Sequence, residues 1–147
     1  MAPTNHRVLP SLLGRGLKYP LQFSDSGGLA LVEGDELVNQ SITEILLTGI
    51  GERPFVVRNG VPFGSRIPSY LFKSADAVRD VAGYEAKRAL ETWEPRIIVN
   101  YVEVTDIGDN GTRDPRFVRI AVNFRYRSSN SPSNWVKDFP TDTTRTT

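Results

Sequence analysis

The sequence predicts an α+β domain built on a small antiparallel sheet, and three observations carry that prediction. Ser74 through Trp93 repeats apolar residues at helical spacing. Val118, Ile120, Val122, Phe124 and Tyr126 alternate with Arg119, Ala121, Asn123, Arg125 and Arg127, the period of a strand with one apolar and one basic face. Two apolar runs, Leu17 to Phe23 and Leu29 to Val32, flank Ser24-Asp25-Ser26-Gly27-Gly28, which reads as a hairpin turn.

Taken in order, residues 1–16 hold two prolines and Gly14-Arg15-Gly16 and read as a flexible N-terminal arm. The hairpin follows, with Pro20 suited to an edge position. Glu36 to Thr48 places Leu37, Ile42, Ile45 and Leu46 on one helical face, and Gly49 and Gly51 lie where that helix stops. Residues 49–68, with four glycines and three prolines, read as a long loop, and Pro68 to Phe72 as a short helical turn. Ser74 is the N-cap expected for the main helix, with Asp76 favouring its dipole. Its apolar stripe is Ala77, Val78, Val81, Tyr84, Ala89, Leu90 and Trp93, and Gly83 implies close approach of a neighbouring element. Arg96 to Thr105 reads as a strand, followed by a turn at residues 108–111 and the alternating strand. The expected order is β-β-α-(short α)-α-β-β, with the N-terminal and C-terminal hairpins packed against two main helices. Residues 128–147 are rich in Ser, Thr, Asn, Pro and Asp and read as a C-terminal tail. Trp135, Val136 and Phe139 mark it either as a docking segment or as chain that folds back onto its own domain. The arm (1–16), the domain (17–127) and the tail (128–147) complete the division.

Composition narrows the function. With 18 Lys and Arg against 17 acidic residues the net charge is +1, which argues against a nucleic-acid surface. The absence of cysteine removes disulfides and thiolate metal sites. The first residues lack the apolar core of a signal peptide and no apolar run reaches a membrane span, so a soluble, cytoplasmically made protein is expected. The one histidine, His6, lies in the arm and reads as a solvated residue, so no histidine-based triad is available to the domain. Gly49-Ile50-Gly51 follows a helix and does not fit a phosphate loop. Asp106-Ile107-Gly108-Asp109-Asn110 reads as a turn and lacks the spaced oxygens of a calcium loop. No cofactor or metal is called for. Glu52 and Glu94 form a formal pair of glycosidase carboxylates, but each has an arginine beside it, which favours the ionised form and opposes a general acid.

The most informative string is Trp93-Glu94-Pro95-Arg96. Pro95 must end the helix and pushes Glu94 out of the helical region. A carboxylate and a guanidinium are thereby fixed at one corner beside an indole. The corner is either an internal ion pair or a partner contact, and Glu52-Arg53 poses the same choice at the end of the preceding helix. On the sheet, Arg119, Arg125 and Arg127 form either a solvated face or a rim that steers an acidic partner.

Gln40-Ser41-Ile42-Thr43-Glu44-Ile45-Leu46-Leu47-Thr48, Gly51-Glu52-Arg53, Pro62-Phe63-Gly64-Ser65, Leu71-Phe72 and Trp93-Glu94-Pro95-Arg96-Ile97 occur in that order. This succession resembles the baseplate-wedge, sheath-initiator proteins of contractile phage tails, whose relatives serve type VI secretion baseplates and contractile injection systems. The resemblance covers residues 14–127. It implies a non-enzymatic assembly role in a symmetric, multi-copy virion baseplate put together in the host cytoplasm, with wedge proteins, tail sheath subunits and the tail tube or hub as partners and with neither nucleic acid nor membrane. It also implies that Trp93, Glu94, Pro95 and Arg96 meet wedge partners, that Glu52 and Arg53 form a second polar motif, and that the C-terminal sheet accepts sheath strands. On that reading Arg96→Ala leaves a soluble domain that fails to enter baseplates. The continuation through Thr147 and the Phe55–Val61 stretch depart from the family pattern. Some relatives carry a lysozyme-like label, so a peptidoglycan glycosidase using Glu52 or Glu94 stands as the enzymatic alternative.

Overall fold

The computed structural model describes residues 10–70, 73, 75–106 and 117–140. His6, Leu71-Phe72, the Ser74 cap, the 108–111 turn and residues 141–147 lie outside the described residues. The elements are α1 (Pro10–Leu13), β1 (Arg15–Leu17), β2 (Leu31–Glu33), α2 (Gly34–Leu47), β3 (Val57–Arg58), β4 (Val61–Pro62), α3 (Ile67–Tyr70), α4 (Ala75–Trp93), β5 (Ile97–Asp106), β6 (Phe117–Tyr126) and β7 (Pro132–Pro140). The α+β class is as the sequence predicts, with α2 and α4 as its main helices. No helix among the described residues is long and apolar enough to cross a membrane.

The strands form three antiparallel sheets: β1-β2, β3-β4 and β5-β6-β7. The N-terminal hairpin is thus a separate ribbon. Leu17 pairs with Leu31 and Phe23 bridges Leu29, while Pro20 follows a cis Tyr19–Pro20 peptide just beyond β1. Within the expected long loop, β3 and β4 pair across Asn59-Gly60, both at positive φ, as a two-residue hairpin turn requires.

The core lies between α2, α4 and one face of the large sheet. Val118, Ile120, Val122, Phe124 and Tyr126 are all buried, as their alternation predicts, against Val38, Ile42, Ile45 and Leu46 of α2 and Ala82, Ala86, Ala89 and Leu90 of α4. Gly83 faces β5, where an added Cβ would stand 3.8 Å from the Val104 side chain. Tyr84, placed by the sequence on the apolar stripe, is exposed. The alanines set the buried face instead, since small side chains let the helix lie close to the sheet.

Residues 132–140 correct the picture of a polar tail. After a turn closed by Tyr126 N–H to the Ser131 carbonyl (3.0 Å), the chain returns as β7, in continuous register with β6 from Phe117↔Pro140 to Arg125↔Pro132. Trp135 and Phe139 face inward and are buried, and the Trp135 Nε1–H donates to Thr43 Oγ1 of α2 at 3.0 Å. Folding back is therefore the outcome for this segment, because two aromatic rings gain burial that they lack in a free tail. Phe139→Ala should lower stability by about 3–5 kcal/mol and the melting temperature by roughly 10 °C or more. Calorimetry checks this, and an unchanged melting temperature would mean that β7 is not part of the core.

Candidate functional site

The Glu94 corner forms because Pro95 stops α4. The last helical bond is Glu94 N–H to the Leu90 carbonyl at 2.8 Å, and the chain then turns into β5. The Glu94 side chain points inward and is 1 % exposed. Arg96 closes over it as a fork, Nε to Oε1 at 2.6 Å and Nη2 to Oε2 at 2.5 Å, and the Arg96 backbone N–H reaches Oε1 at 3.3 Å. The third guanidinium nitrogen, Nη1, donates to the Leu13 carbonyl at 2.9 Å. Arg96 therefore neutralises a buried carboxylate and ties the end of α1 to the start of β5. The pairing raises the Arg96 pKa above its ordinary value, chiefly through the hydrogen bond to Glu94.

Around this pair the corner is braced on two sides. Arg127 donates from its backbone to the Arg96 carbonyl (2.8 Å) and from Nε to the Pro95 carbonyl (3.1 Å). Trp93 Nε1–H donates to the Pro62 carbonyl at 3.2 Å, and its ring meets Phe63 edge-on at 5.1 Å. Arg53 lies 4.8 Å over the Phe63 ring and 3.8 Å from Glu44. Trp93, Pro95, Arg127 and Arg53 thus join the Glu94–Arg96 pair in one brace. Glu52 does not, since its carboxylate folds back over Gly49. The choice between an inward and an outward Arg96 resolves inward, onto its own corner.

Beneath the corner sits the buried Tyr126 ring. Its hydroxyl lies near Ser133 and Asp35 without a well-formed hydrogen bond to either. Burial, first of all, pushes the phenol pKa up to about 12, while Ser133 and Arg96 act in the opposite direction.

On the far face of the sheet, Arg119 grips Asp138 of β7 with two hydrogen bonds, at 2.6 and 2.8 Å. That fork holds the Asp138 carboxyl below its ordinary range. Arg125 is exposed, and its side chain forms no ion pair with a described residue. The outer sheet edges differ. The β5 register slips between Val99 and Tyr101, which bends that edge, whereas β7 runs without a break. Tyr126 bonds to Ser131, so the alternation of an antiparallel ladder leaves the N–H groups of Asn134, Val136 and Asp138 pointing away from β6.

The model of the family described as baseplate wedge protein gp25 matches residues 32–131. The chain belongs to that family. The matched span holds the Glu94 corner, Glu52-Arg53 and the first two strands of the large sheet. Among solved structures, a Geobacter sulfurreducens protein given the provisional name of tail lysozyme is 29 % identical, with a TM-score of 0.59, 73 % of this chain and 90 % of that one covered. A chain of the anti-feeding prophage (AFP) baseplate is 20 % identical, with a TM-score of 0.58, 86 % of this chain and 87 % of that one covered. No curated protein matches the sequence.

For this wedge-family chain the corner geometry bears on catalysis directly. Both Glu94 oxygens are held by Arg96 in a buried position, so neither is free to reach a sugar. No cluster of His, Cys, Asp and Glu able to hold a metal occurs among the described residues.

Sequence reasoning found the brace's charged members but missed the Leu13 carbonyl, Phe63, Thr43 and Asp138. A backbone acceptor 83 residues away leaves no trace in a motif. Asp138 was legible in principle, because Trp135 and Phe139 imply a strand that places it outward.

Two outcomes follow. Arg96→Ala strands a buried carboxylate, so the variant should lose about 3–5 kcal/mol in urea unfolding, whereas Glu94→Leu combined with Arg96→Met should recover most of it. A loss under about 1 kcal/mol would remove the corner from the list of structural supports. A raised Tyr126 pKa stabilises the fold below the ordinary tyrosine value near 10, and that contribution fades as pH climbs towards 12. Tyr126→Phe should therefore unfold less steeply than the parent between those limits and match or exceed it at pH 7. Parallel alkaline profiles would contradict the assignment.

Proposed function

We propose that this member of the baseplate wedge protein gp25 family is a structural, non-enzymatic part of a contractile-tail baseplate that joins wedge neighbours to the sheath and starts sheath polymerisation by strand addition. The observation that carries the reading is the outer edge of β7, which no other strand among the described residues covers. It lies on a sheet fastened to two helices, and it offers three outward N–H groups in unbroken register. A partner strand completes such an edge with main-chain hydrogen bonds that need no particular side chains. Val136 is 48 % exposed on the outer face, between the Arg119–Asp138 fork and Arg125, so an added strand has an apolar contact and a charge to orient it.

The corner then has a division of labour. Glu94, Arg96, Trp93 and Arg53 keep the domain rigid. Arg125 and Glu52, which stand outside the brace, and the exposed sides of Pro95 and Arg127 are the surfaces that meet wedge neighbours. A preorganised support strengthens a contact without touching it. The row of exposed Leu17, Tyr19, Leu21, Phe23, Leu29 and Leu31 on the N-terminal ribbon supports an assembled state, because so many large apolar groups are seldom left in water on a monomer. Multiple copies in a symmetric baseplate, with the sheath and the tail tube or hub adjoining, complete the proposal.

The same edge serves a contractile injection system equally well, and the AFP baseplate chain of the same fold keeps that setting beside the phage one. The lysozyme reading has only the Geobacter protein's name in its favour and is opposed by the locked Glu94.

Val136→Pro removes one outward N–H while leaving the bonds to β6 intact, since proline is tolerated at such edge positions. Complementation with this variant should yield baseplates that contain the protein but carry sheath at least tenfold less often in electron micrographs, while Val136→Thr should restore sheath. Normal sheaths on Val136→Pro baseplates would reject strand addition at β7.

A further inference from the structure

Phe55 is the most exposed large apolar side chain described, at 96 %, and the segment that carries it is braced. The Val56 N–H donates to the Arg53 carbonyl (3.1 Å), the Glu52 N–H to the Gly49 carbonyl (3.1 Å) and the Phe63 N–H to the Val56 carbonyl (2.9 Å). Arg53 is held between Phe63 and Glu44, and Arg58 Nη1 donates to the Thr92 carbonyl at 3.2 Å. Beyond β4, Gly64 sits at φ +106° against the Thr48 carbonyl, with no room for a Cβ, and the Ser65 hydroxyl donates to the Leu46 carbonyl at 2.8 Å. Both ends of the loop are thus fastened to α2 and α4.

We propose that Phe55 is the anchor of a protein–protein contact and inserts into an apolar groove with an acidic rim on a different protein of the baseplate. The inference rests on the assembly role argued above and adds to it a site and a partner chemistry. A ring on a fastened loop loses little conformational freedom when it binds, which is the condition for a strong anchor. Val56 and Val57, next along the chain, and Ile50 of the same loop are also exposed and add apolar surface to the segment. The charge on and beside the loop is net positive even with the Glu44 partner of Arg53 counted: Arg53, Arg58 and Arg66 stand against Glu44 and Glu52. Arg66 is exposed, and among the described residues neither it nor Arg58, which donates to the Thr92 carbonyl, forms an ion pair. An acidic rim complements that field and a second copy repels it.

The test uses the full chain in purified baseplates. Phe55→Asp should keep the parent's melting temperature, because the ring is almost wholly exposed. Its incorporation into baseplates should fall at least tenfold, and Phe55→Trp should retain it. With a photoreactive benzoylphenylalanine at position 55, irradiation of assembled baseplates should join the chain to another protein at a peptide holding apolar and acidic residues. Equal incorporation of Phe55→Asp and the parent, or a crosslink to a second copy of this chain or to a basic peptide, overturns the anchor and leaves the assembly role standing. Absence of the parent chain itself from purified baseplates overturns both.

Discussion

A carboxylate with 1 % exposure is the constraint on which the rest of this structure depends. Buried ionised groups are tolerated only when paired and hydrogen-bonded, and Glu94 is paired by the residue two positions along the chain. Pro95 makes that geometry local: it stops the helix and turns the backbone so that the guanidinium faces back. The remaining Arg96 nitrogen reaches the Leu13 carbonyl, and Arg127 holds the turn through the Pro95 and Arg96 carbonyls. One ion pair thereby fixes the relation of the first helix, the longest helix and the large sheet.

What this rigidity positions lies elsewhere on the surface. Among the described residues the sheet ends in a straight outer edge on β7 and a bent one on β5. The loop beyond α2 presents Phe55. The ribbon of β1 and β2 presents a row of apolar side chains. None of these resembles a reaction centre. A scaffold with several surfaces that no described residue covers, each fastened to a common core, suits a component completed by its neighbours. The charged corner is fastened internally, with Arg96 closed on Glu94 and on the Leu13 carbonyl.

The parts legible in sequence were those governed by local rules. The alternation in residues 118–127 gave β6 and its buried face, helical spacing gave α2 and α4, and Pro95 gave the corner. Asn59-Gly60 carried a hairpin signal that went unread within a loop dense in glycine and proline. β7 was hidden because a strand of Ser, Asn, Lys and Asp with three large apolar residues has tail-like composition, and only its pairing to β6 buries Trp135 and Phe139. The direction of Arg96 was beyond sequence altogether, since an internal fork and an outward contact call for the same two residues. Arg119 reads in sequence as either a solvated or a steering charge, and its bidentate partner lies across a strand pair that composition does not reveal.

The measurement that bears most directly on this account is a structure of the assembled baseplate with sheath attached, resolved at side-chain level around Glu94 and β7. The account predicts Arg96 still closed on Glu94 and the Leu13 carbonyl, with a partner strand hydrogen-bonded to the outward N–H groups of Asn134, Val136 and Asp138. Arg96 turned away from Glu94 to a neighbouring protein, with the β7 edge in solvent, would contradict it.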